Sequence, residues 1–195
     1  MIKKITTFLF VLFTIISLTG CASNKANNSS NKTITSESNS SIVIYFSRTN
    51  NTEKIANYIV EITGAASYEI LAKVPYTDDD INYNDSNSRT SKEQNDSSAR
   101  PEIGSEDIDL SIYDVIYLGY PIWWGQCPKI MYTFIEKYDL TSKTIIPFCT
   151  SASSPIGTSA TNLSMSASDA NWLEGKRFSA SSTKNDIEIW LKNLK

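Results

Sequence analysis

Three short apolar runs restrict this 195-residue chain more than any other feature: residues 42–46, 115–118 and 144–149 each stop at a polar or aromatic turn, and a helical pattern follows. Near-continuous apolar runs of this length suit strands buried on both faces of a parallel sheet. The helices are read from spacing: Ile55, Ile59 and Ile62 before Gly64; Ile130, Met131, Phe134, Ile135 and Tyr138 after Pro128; Ile156, Ala160 and Leu163; and Ile187, Trp190, Leu191 and Leu194 after Thr183. Residues 68–73 and 176–180 add two strand candidates. Strands thus alternate with helices from residue 42 onward. With right-handed crossovers this predicts an α/β fold with a doubly wound, five-stranded parallel sheet, whose ligands bind beyond the C-terminal strand ends. Pro147 sits awkwardly in its run, because a central strand loses a ladder donor at proline.

The first turn, residues 47–52, carries Ser47, Thr49, Asn51 and Thr52 where the unpaired N–H groups of a helix also face outward. Hydroxyl and amide donors combined with a positive dipole end suit a phosphate. The same residues also suit a plain cap, with Asn50 and Glu53 forming something close to a capping box. The other two turns, Gly119-Tyr120-Pro121-Ile122-Trp123-Trp124-Gly125 and Thr150-Ser151-Ala152-Ser153-Ser154-Pro155, fall on the same sheet edge. Between the second and third strands, residues 76–101 hold much of the charge, with Asp78, Asp79 and Asp80 ready to start a short helix and Ile81 the only aliphatic residue before Ala99. A segment this long is expected to be partly helical and either to cover something or to be a solvated insertion.

Composition excludes several chemistries. There is no histidine, which removes His-based zinc sites and catalytic triads. Lys3 and Lys4 precede an uncharged stretch, residues 5–19, that matches the core of a secretion signal and falls short of the ~20 residues of a spanning helix. Leu18-Thr19-Gly20-Cys21 then resembles the lipobox of bacterial lipoproteins, which implies cleavage before Cys21 and acylation of that residue; the alternatives are an uncleaved anchor or an ordinary signal. Residues 21–40 read as a disordered Ser- and Asn-rich tether, spanning on the order of 25 Å, ahead of a domain at 41–195. Losing Lys3 and Lys4 with the signal leaves 16 of the 18 cations against 21 anions. An acidic chain without a Lys/Arg cluster argues against nucleic acid as a partner. The expected location is the extracytoplasmic face of a cell membrane, held by the lipid.

The motif Tyr45-Phe46-Ser47-Arg48-Thr49-Asn50-Asn51-Thr52 resembles the phosphate loop of the flavodoxin-like family, and the two later turns resemble that family's flavin-contacting loops. The resemblance implies strand order 2-1-3-4-5 and FMN as cofactor; flavodoxin is itself a standard example of that order with FMN at the switch point. It implies that the FMN phosphate meets Ser47, Thr49, Asn51 and Thr52 and the backbone of Arg48 and Asn50. The ring would meet Pro121, Ile122, Trp123 and Trp124, and its polar edge Thr150, Ser151 and Ala152. Packing in the core is the other reading of the Trp pair.

Many relatives have glycine at the position of Asn50 and a glycine pair at Ala152-Ser153. Asn tolerates the left-handed region, whereas a Cβ at 152 or 153 would crowd the ring's polar edge if positive φ or close approach were needed there, with weaker FMN binding as the result. The implied function is FMN-dependent electron transfer or reduction of a small acceptor such as a quinone. The alternative is a flavodoxin-fold binding module that has lost FMN. Cys127 and Cys149, on adjacent strand ends, are expected to be free thiols.

Overall fold

The computed structural model describes residues 40–194, so the signal, the lipobox at Cys21 and most of the tether lie outside the described residues. Strands β1 (Ser41–Tyr45), β2 (Ala66–Glu69), β3 (Val115–Pro121), β4 (Thr144–Thr150), β5 (Asn171–Trp172) and β6 (Lys176–Phe178) form one sheet. Helices α1 (Asn51–Thr63), α2 (Arg89–Asn95), α3 (Lys129–Lys137), α4 (Ser159–Ser164) and α5 (Lys184–Lys192) connect them. The order is β2-β1-β3-β4-β5, with β6 also on β4, and every pairing between these strands is parallel. This is the doubly wound sheet expected, except that its last position is filled by two short strands in succession.

Alternation along β1 separates two cores. Ile42, Ile44 and Phe46 pack with Ile130, Met131 and Phe134 of α3, while Val43 and Tyr45 pack with Ile55 and Ile59 of α1 and Ile187 and Trp190 of α5. Helices therefore cover both faces, which is why these strands lack polar alternation. Gly64 ends α1 at φ 71° with its N–H on Val60 O, and Thr183 opens α5 in a reciprocal capping box with Asp186.

The second strand starts earlier than the expected 68–73. Ala66 and Ser67 pair with Ile42 and Val43, and Ala72 makes only an antiparallel bridge to Ile103. Small residues of weak β propensity hid this strand start, whereas pairing with β1 stabilises it.

Pro147 is accommodated by the break between β5 and β6. Leu173 N–H donates to Ile145 O, so the residue two further along β4 also points its backbone to that side. β5 pairs with Thr144 and Ile145, and β6 resumes at Phe148. No ladder donor is required from position 147. Gly175 crosses the break; a Cβ there would lie 2.9 Å from the Pro147 ring and 2.5 Å from Ile156.

Cys127 and Cys149 are both free and fully buried, and burial pushes each thiol up to about 12. In the folded protein neither should react with iodoacetamide at pH 8, and in urea without reductant both should, as read by peptide mass mapping; an unreactive pair in urea would show a disulfide. Gly119 pairs with Phe148, and a Cβ at Gly119 would sit 2.2 Å from that ring. Gly119→Ala should cost about 1–3 kcal/mol in a urea melt, with partial recovery when Phe148→Leu is added; an unshifted midpoint would mean the ring gives way freely.

Candidate functional site

Because β1, β3 and β4 run parallel and in register, their C-terminal ends and the turns that follow meet at one edge. The ladder continues into those turns: Phe46 N–H donates to Gly119 O at 3.0 Å, and Ile122 N–H to Thr150 O at 2.9 Å. A cleft opens there, walled by Arg48, Thr49, Asn51 and Thr52 from the first turn, Pro121, Ile122 and Trp123 from the second, and Thr150, Ser151 and Ala152 from the third.

The first turn is rich in unused donors. Among the described residues, the backbone N–H groups from Ser47 through Glu53 donate to no acceptor, and Lys54 N–H is the first to be bonded, to Asn50 O. A helix start leaves about four such groups free, so the loop extends the set in the N-terminal direction. Asn51 Nδ2 donates to Thr49 Oγ1 at 3.1 Å, which leaves the Thr49 hydroxyl proton free to point at an acceptor. Ser47 Oγ is buried and has no partner; Ser47 lines a smaller neighbouring pocket with Pro75 and Tyr76 and is not part of the cleft wall. The unpaired amides and the free Thr49 hydroxyl proton fit an anion bound by neutral donors, as a phosphate would be.

Asn50 sits at φ 61°, ψ 2°, in the left-handed region, and its side chain makes no capping bond. The plain-cap reading of Asn50 with Glu53 therefore fails, and Asn takes the conformation that glycine adopts most readily. Thr52, also in the cleft wall, is buried, and its hydroxyl shares a 2.8 Å hydrogen bond with Thr150 Oγ1, tying the first turn to the third. The Arg48 side chain is drawn aside, with Nε on Tyr76 O at 3.1 Å and a terminal nitrogen 2.5 Å from Asp78.

The two tryptophans part company. Trp123 is both core and cleft wall, packed edge-on against Phe46 and Tyr76 at 5.5 and 5.1 Å between ring centroids. Trp124 is outside the cleft wall. It occupies the left-handed region at φ 48°, ahead of Gly125 at φ 76°, in a two-residue turn closed by Trp123–Gln126 backbone bonds in both directions. Its ring lies on Tyr83, 4.3 Å between centroids.

Tyr83 and Ile81 complete the cleft wall, together with Ala180. The polar segment is thus a cover rather than a solvated insertion. It contains a short 3-10 turn, Asp79–Ile81, and α2, capped by Ser88. Arg89 Nε lies 2.7 Å from Glu93, its guanidinium stacks 3.9 Å over the Tyr76 ring, and Tyr76 donates to Glu93 at 2.8 Å. Burial and the Glu93 charge push the Tyr76 phenol pKa far up, so it stays a donor. From α2, Gln94 donates to Trp123 O and Cys127 O, both at 3.1 Å, which fixes the second turn. Ile81, Tyr83 and Ala180 are the cleft residues that sequence reasoning missed. The usable signal was an isolated aliphatic residue in an otherwise polar stretch.

In the third turn, neither Ala152 nor Ser153 has positive φ. Neither residue therefore carries left-handed backbone strain, and Ala152 lies in the cleft wall. Ser151 N–H donates to Phe178 O at 3.2 Å, which joins this turn to β6.

A flavodoxin family model matches residues 40–194. A candidate flavoprotein from Bacteroides eggerthii is 40% identical, covering 78% of this chain and 96% of its own, with a TM-score of 0.74. One from Bacteroides uniformis is 37% identical over 79% of this chain and 98% of its own, with a TM-score of 0.76. A Lactobacillus acidophilus flavoprotein solved in complex with FMN shares the fold at 21% identity, over 78% of this chain and 99% of its own, with a TM-score of 0.57. A search of curated proteins returns no match. With the parallel 2-1-3-4-5 sheet, three converging turns and a family match across the whole described domain, this chain belongs to the flavodoxin family.

Proposed function

We propose that this protein binds FMN in the cleft and works as a redox protein at the outer face of a bacterial membrane. The observation that carries the reading is the run of N–H groups from Ser47 to Glu53 without a protein acceptor, a set of neutral donors that an anion at the loop would engage. Thr49 and Asn51 add side-chain donors. Pro121, Ile122 and Trp123 offer an apolar wall to a flat ring, and Ser151 and Ala152 border the cleft where the ring's polar edge would lie. FMN, when bound, supplies one- or two-electron transfer; the protein holds, orients and shields it. Ile81 and Tyr83 give the cleft an apolar outer wall, which suits a flat organic acceptor such as a quinone. Electrons come from a separate reduced donor, and the two protons of quinone reduction come from solvent.

Purified protein given FMN should show bound visible absorption; its absence would sink the reading. Replacing Thr49 and Asn51 together with Ala should weaken FMN by about two to four powers of ten, at ~1.5–3 kcal/mol for each hydrogen bond to a charged group. Riboflavin, which lacks the phosphate, should barely change. Fluorescence titration of both ligands tests this, and equal losses would show that the pair only shapes the loop. Thr52 is left out because its bond to Thr150 also serves the fold.

The membrane location rests on residues 1–21, with several acyl chains on Cys21 giving firm attachment at ~0.8 kcal/mol per buried CH₂. Cys21→Ser should release the protein from membranes. A variant that stays in the membrane fraction as an uncleaved chain would instead make residues 5–19 the anchor.

A further inference from the structure

One cation holds the third turn from behind. Arg177, in β6, donates from Nε to Ser151 Oγ at 3.1 Å, and from a terminal nitrogen to the backbone carbonyls of Ser151 at 2.7 Å and Ala152 at 2.5 Å. Among the described residues no carboxylate lies within salt-bridge distance of Arg177. Its charge is met locally by carbonyl dipoles.

Peptide geometry turns this into a statement about donors. In a trans peptide the C=O and the following N–H point in opposite directions, and no cis peptide is present among the described residues. With the Ser151 and Ala152 carbonyls fixed on Arg177, the N–H groups of Ala152 and Ser153 face away from it. Neither donates to any acceptor among the described residues. Ser151 and Ala152 form part of the cleft wall and Arg177 does not. Ala152 thus presents a free N–H from a residue of the cleft wall, with the free N–H of Ser153 next to it in the chain.

We propose that Arg177 is a positioning residue that aims the Ala152 and Ser153 N–H groups at the polar edge of the flavin ring and raises the reduction potential of bound FMN. This rests on the FMN reading above. A cation on the carbonyl of an amide polarises that amide and strengthens its N–H as a donor. The same charge favours the more negative redox state, and so opposes the acidic balance of the chain, whose field acts the other way.

The test uses the full-length protein in detergent, with Arg177→Gln and Arg177→Lys. FMN and riboflavin affinities are read by flavin fluorescence and potentials by equilibration with a reference dye. Arg177→Gln should weaken FMN and riboflavin by the same factor, about tenfold, because both carry the ring. Its potential should fall by about 30 mV, the two-electron equivalent of a tenfold larger loss in the reduced state. Arg177→Lys, which keeps the charge without the planar fork, should regain most of the potential and only part of the affinity.

Unchanged riboflavin affinity, a loss confined to FMN, or an unmoved potential in Arg177→Gln would overturn the assignment. Should that variant fail to fold by circular dichroism, Arg177→Lys decides: wild-type affinity for both ligands would overturn it, and an equal loss of about threefold would support it. Wild-type protein that binds no FMN overturns the cofactor reading itself. Any other failure touches Arg177 alone.

Discussion

The parallel hydrogen-bond ladder of β1, β3 and β4 is the constraint on which the site depends. Its register sets Tyr45 beside Gly119 and Pro121 beside Thr150, and the pairing runs on past the strand ends through Phe46 and Ile122. Turns that would otherwise be independent loops are thereby held at fixed spacing. The Thr52–Thr150 hydroxyl bond adds a link across 98 residues of sequence between the first turn and the third. A site assembled on strand ends in this way is shaped before any ligand arrives, so little binding energy is lost to ordering loops.

The segment between β2 and β3 works differently, as a cover built from polar contacts. Tyr76 wedges between Phe46 and the Arg89 guanidinium, Gln94 holds two carbonyls of the second turn, and Arg48 joins Asp78. The Arg48–Asp78 pair is solvent-exposed on the Asp side and contributes little by itself. The buried Tyr76 ring and the two Gln94 bonds matter more, because breaking them leaves carbonyls and apolar surface without partners. Through these contacts Ile81 and Tyr83 reach the cleft, and Trp124 is held in a left-handed turn that is costly for a bulky residue.

Much of the fold was legible in the residues alone. Apolar runs at 42–46, 115–118 and 144–149 identify buried strands because a strand covered on both faces cannot alternate polar and apolar positions. Gly64 and Thr183 mark helix ends by backbone and hydroxyl chemistry that is local. The donor-rich first turn, and Asn50 as a left-handed residue, are also local properties and could be read directly.

What sequence alone could not reveal depends on partners distant along the chain. β5 has two residues and exists only because β4 offers it an edge. Pro147 was an anomaly until the break between β5 and β6 removed the need for its N–H. The separation of Trp123 from Trp124, the entry of Tyr83 into the cleft wall, and the three bonds from Arg177 to the third turn were likewise decided by tertiary structure. Local spacing and side-chain chemistry are properties of a few neighbouring residues, so sequence determined the strands, the helix ends and the donor-rich first turn. Which side chains close the site depends on long-range packing, which only the folded chain defines.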